Sequence, residues 1–151
     1  MKAFIIPLII IFLLFSGFIL FNKPQSSKTL TLSPTPSPSE KVNIKASFTI
    51  ITGNITRSFK AEKYHNLSAD VYIENSDPTI VHVKKSNITW GDFFNTLPMK
   101  LTSDCLVTGD GETLCDGKDG NLRFYLNDVE TPDLLEKHIK EGDKILIKFL
   151  P

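Results

Sequence analysis

Polar and apolar side chains alternate with period two along VNIKASFTI. Val42, Ile44, Ala46, Phe48 and Ile50 fall on one face, and Asn43, Lys45, Ser47 and Thr49 on the other. That period predicts a half-buried strand. Thr52-Gly53-Asn54 can turn the chain into a second strand near Ile55 to Ala61. ADVYIE and TIVHVK are two further strands, separated by the turn residues Asn75-Ser76-Asp77-Pro78. The period then changes. In TWGDFFNTL the large apolar residues Trp90, Phe93, Phe94 and Leu97 recur at helical spacing. Thr89 is placed to cap that helix, with Asp92 three residues on to reach back. LRFYLND puts Leu122, Phe124 and Leu126 on one strand face. TPDLLEKHIKEG predicts a second short helix, capped by Thr131, with Pro132 in its first turn and Gly142 ending it. KILIKFL closes the chain as an apolar strand. The expected class is α+β, a small mixed or antiparallel sheet with two short helices, which a β-grasp-like arrangement would accommodate.

Two segments upstream follow neither period. From Ala3 to Phe21 there is no charged residue, and nineteen residues at the helical rise span about 28 Å, close to the hydrocarbon thickness of a bilayer. Residues 1–21 therefore read as a transmembrane helix of signal-anchor type, with the lipid bilayer contacted through residues 3–21. A cleaved signal peptide is the rival reading. Against it, bulky residues run on through Phe18, Ile19, Leu20 and Phe21, where a small-x-small site belongs. Residues 22–40, NKPQSSKTLTLSPTPSPSE, are dominated by Ser, Thr and Pro and predict an extended stalk reaching up to roughly 60 Å. Residues 41–151 remain for one domain of ordinary size.

Flanking lysines barely decide which side of the membrane that domain occupies. The cysteines say more. In CLVTGDGETLC, a hairpin about Gly109-Asp110-Gly111 pairs Thr108 with Glu112, Val107 with Thr113 and Leu106 with Leu114. Cys105 and Cys115 then stand opposite one another, within reach of a disulfide. Such bonds persist outside the cytoplasm, so the expected location is the cell membrane, single-pass, with the C-terminal domain extracytoplasmic. Charge adds an exclusion: 17 basic and 17 acidic residues give a net charge of zero, and no basic run interleaved with aromatics marks a nucleic-acid partner.

Candidate chemistry is thin. His82 alternates away from Val81 and Val83, His65 and His138 lie far off in sequence, and no HxH, HxxxH or HExxH spacing occurs. A metal site built from His82 and His65 with nearby carboxylates is the candidate ligand set. Asp104, Asp110, Glu112, Asp116 and Asp119 concentrate in one stretch, but their spacing does not fit the EF-hand calcium loop, and Asp-Gly pairs are ordinary turn chemistry. No G-x-S-x-G or Gly-rich phosphate loop is present. No catalytic residue and no cofactor is assigned, and the weight of the motifs is against an enzyme. The aromatics of TWGDFF read as core, and the N-x-[ST] triplets at Asn54, Asn66 and Asn87 carry no inference.

VHV at Val81 to Val83, TWG at Thr89 to Gly91, Phe93, Phe94 and Leu97 form a pattern continued by Leu122, Phe124, Leu126, Asn127, Asp143 and Ile145 to Ile147. Over about residues 64–150 it resembles a family of small prokaryotic membrane-anchored extracytoplasmic proteins with a VHV...TWGxFF motif. The resemblance implies an N-terminal membrane segment and an extracytoplasmic domain, and no activity. Those relatives are richer in histidine and often carry VHVH, where this chain has Lys84. A protonated lysine has no lone pair to ligate a metal, so metal binding does not carry across. The leading expectation is a membrane-anchored extracytoplasmic binding or interaction module with an unknown protein or small-ligand partner. Extracytoplasmic metal handling is the alternative.

Overall fold

The computed structural model describes residues 40–117 and 120–150. Among these residues, ten strands form two sheets. β1 (Lys41–Thr52), β2 (Ile55–Thr56), β3 (Val71–Glu74), β4 (Asp77–Lys85), β8 (Asn121–Leu126), β9 (Val129–Glu130) and β10 (Lys144–Leu150) make a seven-stranded sheet ordered β3-β4-β1-β10-β8-β9, with β2 paired to β1. β5 (Lys100–Leu101), β6 (Cys105–Val107) and β7 (Thr113–Cys115) make a small antiparallel one. Only β1 and β10 run parallel, at the centre of the large sheet. Between β4 and β5 lies the one α-helix among the described residues, α1 (Trp90–Thr96).

The period-two pattern of β1 is realised as burial. Ala46, Phe48 and Ile50 are buried, while Lys45 is exposed and Ser47 and Thr49 are half-buried. Val71 and Ile73, Val81 and Val83, Leu122 and Phe124, and Ile145, Ile147 and Phe149 add their inward rows to the same core. α1 is pressed onto it by Trp90, Phe93 and Phe94, each at most 1% exposed. The Phe48 ring meets Phe93 edge-on at 5.2 Å and Phe94 at 5.9 Å. The expected capping box is present: Thr89 Oγ1 accepts from the Asp92 amide at 3.0 Å, and Asp92 Oδ2 accepts from the Thr89 amide at 2.9 Å. Two donors that a helix start leaves without intrahelical partners are thereby satisfied.

The α+β, β-grasp-like expectation with two short helices is overturned; the fold is mostly β, with a mixed sheet and a second small sheet. TPDLLEKHIKEG forms only a single 3-10 turn, Leu134–Glu136, with no side-chain cap. The reason is tertiary. Lys137 O accepts from the Trp90 amide at 3.0 Å, and the Ile139 amide donates to Ile88 O at 2.9 Å. Thr89 and His138 form an antiparallel bridge. Residues 137–139 are thus held extended beside the start of α1 while Leu134 and Ile139 both reach the core. The second strand is also shorter than expected, ending at Thr56. Past it the Phe59 ring turns inward against Phe48, and Glu62–Tyr64 forms another 3-10 turn. A hairpin missing from the sequence reading joins β8 to β9, where Asn127 and Asp128 take positive φ of 50° and 68°. Asparagine and aspartate tolerate that region better than other side chains.

No helix of the described residues is long and apolar enough to cross a membrane. The expected anchor, residues 1–21, and nearly all of the stalk lie outside the described residues.

Candidate functional site

One face of the large sheet carries the core; the other does not. On that outer face, register sets side chains in rows across the strands. Tyr72 on β3 is opposite His82 on β4, which is opposite Lys45 on β1. Ile80, Ser47 and Lys144 form the next row. Thr49, Leu146, Tyr125 and Glu130 form another, and Ile51, Lys148 and Arg123 a fourth. Every one of these side chains is exposed or half-buried. A face of alternating cations, hydroxyls and half-covered rings results.

His82 sits where this face is concave. A cleft of about 420 Å³ is lined by Lys45, Ser47, Glu74, Asp77, His82 and Lys144, among others. The imidazole stacks on the Tyr72 ring, 5.3 Å between centroids and 9° from parallel. Asp77 at the cleft wall is held below the usual carboxylate range, first by the Thr79 hydroxyl at 2.7 Å, then by the Thr79 amide, with His82 adding a favourable charge. No hydrogen bond among the described residues joins His82 to Ser47, Ser76, Glu74 or Asp77.

His65 is elsewhere. It follows the first 3-10 turn, its Nε2 donates to Phe59 O at 2.9 Å, and it lines a separate depression with Lys60, Glu62, Asn66 and Asn75. The structure does not bring the two histidines into one cleft, and among the described residues no three His, Cys, Asp or Glu side chains gather as metal ligands. His138 is exposed at the bridge to Thr89. The acidic stretch likewise disperses onto separate partners. Asp104 accepts from Thr102, Asp110 from Lys63, Glu112 from Arg57, and Asp116 from the Leu122 amide. Asp119 lies outside the described residues.

The cysteine hairpin takes the register expected of it. Cys105 faces Cys115, Leu106 faces Leu114 and Val107 faces Thr113, and the Thr108 amide donates to Glu112 O at 2.8 Å. Gly111 supplies the positive φ of the turn, at 89°. The two Sγ atoms are 2.08 Å apart, at disulfide distance. A second pocket, about 290 Å³, opens between this hairpin and residues 55–64, floored by Ile50, Phe59, Met99 and Leu106. Ion pairs Arg57–Glu112 and Lys63–Asp110, the latter at 2.7 Å, join its two sides.

The sequence reading missed the outer face as a site. Its cations, Lys45, Lys84, Lys144, Lys148 and Arg123, come from four strands and are spread over about 100 residues, so no linear run displays them. The available signal was the polar phase of each strand pattern. Compared with known protein families, with curated proteins and with solved structures, the chain matches none.

Proposed function

We propose that residues 41–151 form an extracytoplasmic binding or interaction module, held at the cell membrane by residues 1–21 on a Ser/Thr/Pro stalk. The observation that carries the reading is the outer sheet face. It presents half-covered Tyr72, His82, Ile80, Leu146 and Tyr125 beside lysines, and Ile80 and His82 border a cleft. Binding surfaces combine apolar contact area with a few polar anchors in this way. The register that sets Cys105 directly opposite Cys115 supports an oxidised pair, and an oxidised pair supports the oxidising side of a membrane. The VHV...TWGDFF resemblance points to the same location. Metal handling by His82 and His65 gains no observation in its favour.

A photo-crosslinking residue at Thr49, on the outer face, tests this in intact membranes. A reproducible crosslinked species should form from Thr49 and not from Lys100, which is exposed on the small sheet. Equal or absent crosslinking at both sites would remove the binding reading. A tagged C-terminus facing the cytosol with both thiols free would remove the location.

A further inference from the structure

The cations of the outer face are not evenly matched. Arg123 is 3.8 Å from Glu130, and Lys84 Nζ donates to Asn43 Oδ1 at 2.6 Å. Lys45, Lys144 and Lys148, on the two central strands, have no carboxylate within ion-pair distance of their ammonium groups among the described residues. The Glu141 carboxylate is spent on the Lys45 backbone amide at 2.8 Å. Lys148 Nζ lies 5.7 Å over the Tyr125 ring.

Their arrangement is linear. β1 and β10 run parallel with Ser47 beside Lys144, so Lys45 lies two residues before Lys144 along the strand direction and Lys148 four beyond it. At the strand rise the three ammonium stems span roughly 20 Å. A single phosphate or carboxylate reaches at most two neighbours; a chain of anionic groups reaches all three. Between the cations stand the hydroxyls of Ser47 and Thr49, which suit sugar hydroxyls, and the Leu146 side chain, which suits a sugar C–H face; Tyr125 borders Leu146 one strand over, beneath Lys148. We infer that the outer sheet face binds an acidic polysaccharide laid along β1 and β10, its carboxylates or other anionic groups meeting Lys45, Lys144 and Lys148. The inference rests on the binding-module reading and names its ligand class. The same compartment argument selects a polysaccharide over nucleic acid.

The test uses the full chain in neutral detergent micelles, with polygalacturonate as the probe. Neutral dextran, oligo-dT, poly-glutamate and anionic phospholipid vesicles serve as competitors. Polygalacturonate should bind best, with affinity falling by roughly tenfold between low and physiological salt. Lys45→Gln, Lys144→Gln and Lys148→Gln should each weaken it by roughly two- to fivefold, and the triple variant by at least about tenfold. Lys60→Gln and Lys100→Gln, off this face, should leave it unchanged. Unaltered circular dichroism of each variant separates lost binding from lost fold. Absent binding, equal binding by the triple variant, or tighter binding of any competitor overturns the inference. If polygalacturonate fails while Thr49 still crosslinks a partner, the ligand class falls and the binding module stands; if both fail, both fall.

Discussion

Trp90 is wholly buried, yet its indole Nε1 has no hydrogen-bond partner among the described residues. An unpaired buried donor costs about 1–3 kcal/mol, and here it is carried by a side chain whose area holds α1 to the sheet. Trp90→Phe removes the orphan donor with part of the ring and should cost less than about 2 kcal/mol in urea unfolding. Trp90→Ala empties the site and should cost about 3–5 kcal/mol. If Trp90→Phe proved as damaging as Trp90→Ala, the indole nitrogen would have a partner that the packing does not reveal. Gly109 is constrained differently. A β-carbon there would meet the buried Tyr64 hydroxyl and lie 3.0 Å from Pro98 O. Gly109→Ala should therefore destabilise by about 1–3 kcal/mol, read from the same unfolding curve.

The hairpin of β6 and β7 is tied to the rest of the domain through its turn. Lys63 donates to Asp110, holding that carboxyl below the usual aspartate range and the Lys63 ammonium above the usual lysine range. A depressed carboxyl contributes stability that is fully present above its unfolded value and lost as pH falls through the lower folded value. The raised lysine contributes below its own unfolded value and loses that as pH rises through the folded one. The tether is therefore complete across neutral pH and fails toward acid. Carboxyl carbon shifts should give Asp110 a midpoint below the ordinary aspartate range, returning to that range in Lys63→Gln; an ordinary midpoint in the unaltered chain would refute the tether. Closing the short Cys105–Cys115 loop should stabilise by about 2–3 kcal/mol on the chain-entropy account, so Cys115→Ser should lower the unfolding midpoint accordingly. Much of this element was legible beforehand, because a two-cysteine hairpin with Gly at its turn specifies its own register. The 3-10 turn at Leu134–Glu136 was not. Its helical pattern competes with backbone bonds to Ile88 and Trp90, partners about fifty residues away.

The last strand lies at the middle of the large sheet. β10 pairs with β1 on one side and β8 on the other, and it contributes Ile145, Ile147 and Phe149 to the core. Removing residues 144–151 divides the sheet between β1 and β8 and exposes both new edges. Such a chain should lose cooperative unfolding altogether, seen as collapsed amide dispersion in NMR; retained dispersion would mean that β10 is dispensable. The outer face disappears with it, since Lys144 and Lys148 stand on this strand.

Local periodicity was enough to place β1, β3, β4, β8 and β10, to mark the buried side of β1 and β8, to cap α1 and to pair the cysteines; β2 proved shorter than its pattern, and β5 and β9 left no periodic signal. Those features depend on neighbours within a few residues, where spacing and side-chain type act directly. The parallel pairing of the first and last strands, the unwinding of the second expected helix and the lining up of Lys45, Lys144 and Lys148 depend on contacts across most of the chain. No single segment records such contacts, because each strand exposes its polar row regardless of which strand lies beside it.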